Sequence, residues 1–140
     1  MSADNIIKSI ALLISGGAIT SIANYFFDSI KNKENSKNNF KETRYKAIIL
    51  LCYSLVNYEK EKTMLIINRP DINSIDRLKN ELHVEFINMS LFGSDKVVIK
   101  MKEFVIHGNK TALIDLALEM RKDLYGIKTK LNHNDFDINF

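Results

Sequence analysis

Six basic side chains are the residues of this sequence that best suit binding chemistry. Guanidinium and ammonium groups donate hydrogen bonds to phosphate oxygens, and the planar fork of arginine donates them in pairs. The six stand near predicted helix ends and turns, so only the fold can bring them together. These residues are Arg44, Lys46, Arg69, Arg77, Arg121 and Lys122. One interpretation is that several of them bind a phosphate-bearing ligand.

The same side chains also have explanations that involve no ligand. Arg121 and Lys122 stand near the end of a predicted helix, where a cation interacts favourably with the helix dipole. Arg44 and Lys46 follow the N-terminal segment closely enough to contact anionic lipid headgroups. The sequence leaves both alternatives open.

Other kinds of chemistry find little support. The three histidines are far apart and share no metal-ligand spacing with Cys52, so no metal site is predicted. The five glycines form no phosphate loop or dinucleotide fingerprint, and no serine lies in a nucleophile elbow. We therefore predict a protein that is not an enzyme, with no catalytic residue and no cofactor.

The N-terminal segment is the strongest signal in the chain. No charged residue occurs from Ser9 to Phe27. As a helix this stretch is roughly 28 Å long at about 1.5 Å per residue, close to the ~30 Å hydrocarbon core of a bilayer. We predict a transmembrane helix within residues 1–30. Two alternatives are a cleaved signal peptide, with Ser21-Ile22-Ala23 as its site, and a buried helix of a soluble bundle.

Charges around this segment predict its orientation. Only Lys8 precedes it, whereas six basic residues follow between Lys31 and Lys46. The positive-inside rule then places the N-terminus outside and the C-terminal domain in the cytoplasm, as in a single-pass protein of the cell inner membrane. A lone cysteine, Cys52, agrees with a reducing compartment.

Small and polar residues share one face of the predicted membrane helix. Gly16, Thr20 and Asn24 recur every four residues, with Gly17 and Ser21 beside them. Such residues let membrane helices approach closely and form hydrogen bonds across the contact. The stripe predicts either a pore lined by Thr20 and Asn24 or a plain helix contact or anchor.

The rest of the chain predicts an all-α fold. Residues 31–40 form a polar juxtamembrane linker or the frayed end of a long helix, residues 41–126 a cytoplasmic bundle of about four helices, and residues 127–140 a flexible tail. The run 63–67 fits either a strand or a helix. We expect helices over about 40–59, 74–92, 94–107 and 110–124, with left-handed glycines at Gly93, Gly108 and Gly126 and a cap at Ser94.

Apolar residues at helical spacing predict the inward faces of these four helices. The predicted core comprises Tyr45, Ile48, Ile49, Cys52, Leu55, Val56, Ile75, Leu78, Leu82, Phe86, Val97, Val98, Met101, Phe104, Val105, Leu113, Leu116, Ala117, Met120 and Leu124.

Two stretches together resemble a broad set of small bacterial membrane proteins. They are Leu91-Phe92-Gly93-Ser94-Asp95-Lys96-Val97-Val98 and Leu118-Glu119-Met120-Arg121-Lys122-Asp123-Leu124. Size, topology and the polar membrane stripe are similar to the membrane effector of two-component Hailong antiphage systems. That resemblance implies a homo-oligomer, for example a tetramer, whose channel is held closed by oligonucleotides from a partner nucleotidyltransferase.

The expected function is therefore a homo-oligomeric membrane effector. It would be an ion channel in bacterial antiphage defence, gated by a nucleotide or oligonucleotide on its cytoplasmic domain. Its partners would be other copies of itself, the lipid bilayer and that ligand. The alternative is a membrane-anchored adaptor that binds a protein through its helical bundle and forms no pore.

Overall fold

The computed structural model describes residues 18–138, with the side chains of residue 25 and residues 27–138. Within this range the chain is helical and contains no strand, which confirms the all-α prediction. The helices are α1 (Ala18–Val56), α2 (Tyr58–Asn68), α3 (Ile75–Met89), α4 (Asp95–His107) and α5 (Lys110–Tyr125), followed by a short 3-10 helix (His133–Phe136).

The chain divides into two compact units between Asn39 and Phe40. The first unit contributes the N-terminal part of α1, and the second contains the rest of α1 with all the later helices. Residues 32–39 are helical within α1, which corresponds to the long-helix alternative for this polar stretch. Residues 63–67 are also helical, within α2, so the sequence alternative of a strand at this position is wrong.

One hydrophobic core holds the second unit together. In it, α5 packs against α4 and α4 against α3. Burying these apolar faces stabilises helices that would be marginal alone in water. The side chains at its centre, with at most 1% of their surface exposed, are Ile48, Cys52, Ile72, Leu78, Leu82, Met89, Val97, Met101, Phe104 and Leu116.

Most of the predicted core residues lie in this cluster or against it, and the exceptions are Ile75 and Ala117. Ile75 is 37% exposed because it is the first residue of α3, before the helix reaches the core. Leu65, Ile72 and Met89 are buried although the helical pattern did not single them out. Ile72 lies in the loop after α2 and Met89 is the last residue of α3, where helical spacing gives little guide to burial. Leu65 lies within α2, in the run that the sequence left open between strand and helix.

The turns follow local rules at most positions. Ser74 caps α3 by accepting a hydrogen bond from the Arg77 amide, and Asn109 caps α5 by accepting one from Ala112. Gly108 and Gly126 adopt positive φ of 57° and 65°, as expected for C-terminal glycines.

The prediction of a left-handed Gly93 is wrong, because positive φ among the described glycines occurs only at Gly108 and Gly126. Helix α3 also ends at Met89, before the predicted Phe92. Gly93 is needed for space instead. A Cβ at this position would lie 2.9 Å from the Met89 side chain and 3.2 Å from the Tyr45 hydroxyl.

The C-terminal segment contains a structure that the sequence did not predict. Residues 133–136 form the 3-10 helix, which Asn132 and Asp135 close with a reciprocal capping box. His133 lies 2.7 Å from the Asp115 carboxylate, and Lys110 pairs with Asp137. These contacts attach the described part of the predicted flexible tail to α5.

Candidate functional site

A largely buried carboxylate, Asp123 near the end of α5, gathers polar groups from several helices, and its side chain is 10% exposed. Its Oδ2 accepts a hydrogen bond from the Tyr45 hydroxyl at 2.6 Å and forms an ion pair with the Lys41 ammonium at 2.7 Å. Ser94 also lies beside this carboxylate and lowers its pKa. We call these four residues the Asp123 cluster. It ties α1 to α5 and to the turn between α3 and α4.

The cluster controls the ionisation of its own members. Burial raises the pKa of Asp123, but the hydrogen bonds from Lys41, Tyr45 and Ser94 outweigh it, so the pKa lies below its usual value. Burial and the neighbouring Asp123 charge together raise the pKa of Tyr45. The pair therefore persists as a phenol donating to a carboxylate. That arrangement suits a fixed structural contact more than proton transfer.

Gly93 and Ser94 explain how the α3–α4 turn reaches this cluster. The absent side chain of Gly93 leaves room for the Tyr45 hydroxyl, and Ser94 stands directly before α4. Ser94 occupies the cap position as predicted, but its side chain makes no capping hydrogen bond. Ser94 lies beside Asp123 and contributes to the lowered pKa of that carboxyl.

A second buried ion pair lies nearby on the same helix. Arg44 donates from Nη2 to both carboxylate oxygens of Glu85 on α3, at 2.8 and 2.5 Å. The Glu85 side chain is 11% exposed and the Arg44 side chain 35%. The pair satisfies a carboxylate in the core and connects α1 to α3.

An apolar groove of about 470 Å³ runs between α1 and α5. Ile49 and Leu50 form one wall, and Ala117, Met120 and Leu124 form the other. We call it the α1–α5 groove.

Polar groups lie at the rim of this groove. The Glu42 carboxylate accepts a hydrogen bond from Lys46 at 2.6 Å, and Tyr125 lies beside it. Contact with Lys46, followed by Tyr125, lowers the pKa of Glu42. Arg121 also lines the groove and forms no ion pair with another described residue. The rim therefore combines two cations, one anion and an exposed aromatic ring.

The structure does not gather the six predicted cations at one place. Lys46 and Arg121 both line the α1–α5 groove. Arg44 is committed to Glu85, and Lys122 lines a separate cavity of about 330 Å³ beside α5.

The remaining two cations stand around the turn after α2. Arg69 bonds to Asp71 at 2.9 and 2.7 Å and to Glu81 at 3.1 Å. Those hydrogen bonds raise the pKa of Arg69 and lower that of Asp71, and Arg77 adds a weaker attraction to Asp71. A ligand role for this pair stays a prediction, and Arg69 already pairs with two carboxylates.

The five predicted pore or helix-contact residues are mostly outside what the structure describes. Gly16 and Gly17 precede the described residues. Thr20, Ser21 and Asn24 lie within the α1 backbone, and their side chains are outside the description. Among residues 18–138 no helix is long and apolar enough to cross a bilayer. The predicted span begins at Ser9, so half of it lies before that range.

Potential metal ligands do not cluster in the part of the chain that the structure describes. No three His, Cys, Asp or Glu side chains there are arranged to hold an ion. Cys52 is fully buried, and burial raises the pKa of its thiol. It is therefore a small core residue with little thiolate character.

Sequence reasoning missed Lys41, Ser94 and Asp123 as one cluster. The two stretches quoted for the family resemblance contain Ser94 and Asp123, and the fold brings these two residues close together. One signal was present: Asp123 interrupts the apolar face of a helix whose neighbours Met120 and Leu124 pack inward. Its partners 29 and 82 positions earlier were not predictable from spacing.

Comparison with known proteins gives no family assignment. No protein-family model, curated protein or solved structure matches this chain.

Proposed function

We propose that this protein is a self-assembling membrane effector whose helical domain receives a ligand and thereby controls an ion path. The N-terminal segment would anchor it in the cell inner membrane. Copies of the chain would assemble there, and Thr20 and Asn24 would line the path. The biological setting would be bacterial antiphage defence.

One observation carries this proposal. Helix α1 runs from Ala18 to Val56, so one helix contains the end of the uncharged segment and also one wall of the α1–α5 groove. A ligand in the groove would contact α1 directly through Ile49 and Leu50. It can shift an equilibrium between closed and open arrangements only if it binds one of them more tightly. Because the ligand would contact α1 itself, its affinity would depend directly on the position of that helix in the closed and open arrangements.

The groove also supports a ligand class, a nucleotide or short oligonucleotide. Proteins bind single-stranded nucleic acid by stacking bases on aromatic rings and pairing phosphates with cations. Tyr125 is 56% exposed, and Lys46 and Arg121 flank the same apolar walls. A phosphate would have to draw Lys46 away from Glu42. That costs little, since water screens an exposed i,i+4 ion pair.

The test is ion flux through liposomes that contain the purified full-length chain, with and without added oligonucleotides. We expect flux that an oligonucleotide alters, and that Asn24→Leu changes. Arg121→Glu should abolish the oligonucleotide effect and leave basal flux intact. Lys122→Glu is the matched control, because it reverses the neighbouring charge on α5 outside the groove. Equal responses of the two variants would remove Arg121 from the site.

A second candidate is a membrane-anchored adaptor without a pore. Leu50, 66% exposed, belongs both to the α1–α5 groove and to a second groove between α1 and α2 that Ala47, Met64 and Leu65 line. The two grooves therefore meet at Leu50, and exposed apolar side chains of this kind fit the nonpolar face of a partner helix. This candidate would be favoured if the protein inserts into membranes but gives no ion flux. It would also be favoured if the double variant Thr20→Leu with Asn24→Leu keeps its biological activity.

A further inference from the structure

A stripe of uncharged polar residues lies on α1 ahead of the bundle. Tyr25, Ser29, Asn32 and Ser36 follow one another at spacings of four, three and four residues. Steps of four and three residues return side chains to the same face of an α-helix, the face with which a helix meets another along a seam. The four residues line one shallow groove along the helix, so they share a face in the structure. We call it the Ser29–Ser36 stripe.

Opposite charges border this stripe. With about 100° of rotation per residue in an α-helix, Asp28 lies about 70° to one side of the stripe and Lys33 about 70° to the other. Both also line the groove on this face, as does Lys37. None of these three charges forms an ion pair with another residue of the described chain, and all three are exposed.

The surrounding helix makes little use of intramolecular packing. Every residue from 30 to 40 is exposed. A helix that is polar on all sides needs partners or many charge pairs to be stable. Here the charges along the stripe are left unpaired, so the helix is suited to a partner that brings the complementary charges.

We infer that the Ser29–Ser36 stripe is the contact between parallel α1 helices of neighbouring copies. In a parallel pair, the edge that carries Asp28 meets the partner edge that carries Lys33, so opposite charges adjoin on both sides. In an antiparallel pair, Asp28 would meet Asp28 and Lys33 would meet Lys33. The charge arrangement therefore selects the parallel orientation, and a second copy is the occupant that supplies it.

The chemistry of the stripe determines how strong the contact is. Serine and asparagine allow close approach and hydrogen bonding but bury little apolar surface, so the helices associate weakly in dilute solution. Confinement to a membrane raises the effective concentration and compensates for that. The contact between α1 helices therefore rests on the proposed membrane function. Parallel α1 helices also place every N-terminal segment at the same end of the assembly, as insertion into one membrane requires.

Cysteine crosslinking of the full-length chain in liposomes tests the contact. Asn32→Cys places a thiol in the stripe, whereas Glu34→Cys places one on the opposite face as a matched control. Native Cys52 is fully buried and stays silent. Under mild oxidation we expect Asn32→Cys to form disulfide-linked dimers faster than Glu34→Cys. Equal or slower crosslinking at position 32 in the inserted protein would overturn the inference.

A charge exchange tests the orientation. Two variants of the Asn32→Cys protein carry a single exchange, either Asp28→Lys or Lys33→Asp. Each exchange places like charges together across the contact and should slow crosslinking by roughly two- to fivefold. The double exchange Asp28→Lys with Lys33→Asp restores opposite charges and should recover the original rate. A double exchange as slow as the single ones would exclude the parallel arrangement.

Membrane fractionation and flux in the same samples separate this inference from the proposed function. Flux without preferential crosslinking at position 32 would reject the contact and keep the effector. Crosslinking at position 32 without flux would keep the contact and reject the channel. If the chain does not insert into the liposomes, the membrane function is rejected. Crosslinking of that chain in solution, at the same concentration, then tests the contact between α1 helices by the same comparison of positions 32 and 34.

Discussion

The two parts of α1 differ in how far their side chains are buried within their own chain. From Phe40 to Val56 the helix buries Tyr45, Ile48 and Cys52 on one face, and its buried polar groups are matched by partners from α3 and α5. Between residues 30 and 39 every side chain is exposed. One helix thus combines a part that packs into the core of its own chain with a part whose side chains are exposed. Substitutions should act on folding in the first part and on association in the second.

The largest effect is expected where α1 enters the core. Ile48→Ala removes a side chain that is 1% exposed and should lower the free energy of unfolding by about 2–5 kcal/mol, through lost burial and the cavity left behind. Leu50→Ala, at a position 66% exposed, should change it by less than about 0.5 kcal/mol. Urea unfolding of the full chain, followed by tyrosine fluorescence, measures both. Similar losses at the two positions would contradict the division of α1 into an inner and an outer face.

The next effect concerns the buried ion pair. Arg44→Ala leaves the Glu85 carboxylate in the core without its partner and should cost about 1–3 kcal/mol. Lys46→Ala, two residues along, removes an exposed pair with Glu42 and should leave the free energy of unfolding nearly unchanged. Thermal unfolding distinguishes them. An Arg44→Ala protein as stable as the native chain would show that this pair contributes nothing, and would free Arg44 for a ligand role.

The Asp123 cluster should contribute a pH dependence. Because the folded-state pKa of Asp123 lies below its unfolded value of about 3.9, the stabilisation is complete above that pH and is lost as the pH falls through the folded pKa. Asp123→Asn should cost about 1–2 kcal/mol at neutral pH and flatten the acid side of the stability profile. The measurement is unfolding free energy from pH 7 downward. Parallel profiles for the two proteins would contradict the lowered pKa.

The smallest effect is expected ahead of the bundle. Asn32→Ala replaces an exposed asparagine by a better helix former and should change the unfolding free energy by less than about 0.5 kcal/mol. Urea unfolding of the full chain measures it, with Ile48→Ala as the reference for a destabilised protein. A loss of more than about 1 kcal/mol would show that this part of α1 is held by contacts within its own chain.

Prediction from sequence succeeded where the determining interactions are local. Helices α4 and α5 end at Gly108 and Gly126, and their apolar faces were recognised from spacing because a helix repeats every 3.6 residues. Gly93 was misread for a related reason. Its role is to make room for Tyr45, which is 48 positions earlier, and a local rule for helix ends cannot contain that contact.

The candidate site was predicted only in part. Lys46 and Arg121 were chosen for their charge, and they share a groove because α1 and α5 pack side by side. Arg44 and Arg69 were chosen for the same reason, yet carboxylates of the same chain occupy them. Charge is visible in a sequence, but its neutralisation depends on which helices become neighbours.

The order of amino acids alone determined the helical class, most of the inward faces and the uncharged N-terminal segment, since each depends on residues within a few turns of one another. Tertiary structure decided which polar residues meet. It joined Lys41, Tyr45 and Ser94 at Asp123 and paired Arg44 with Glu85, because removing a carboxylate from water is tolerated only where donors from other helices replace the lost hydration. Those contacts require helices far apart in sequence to pack together, and no local pattern records that packing.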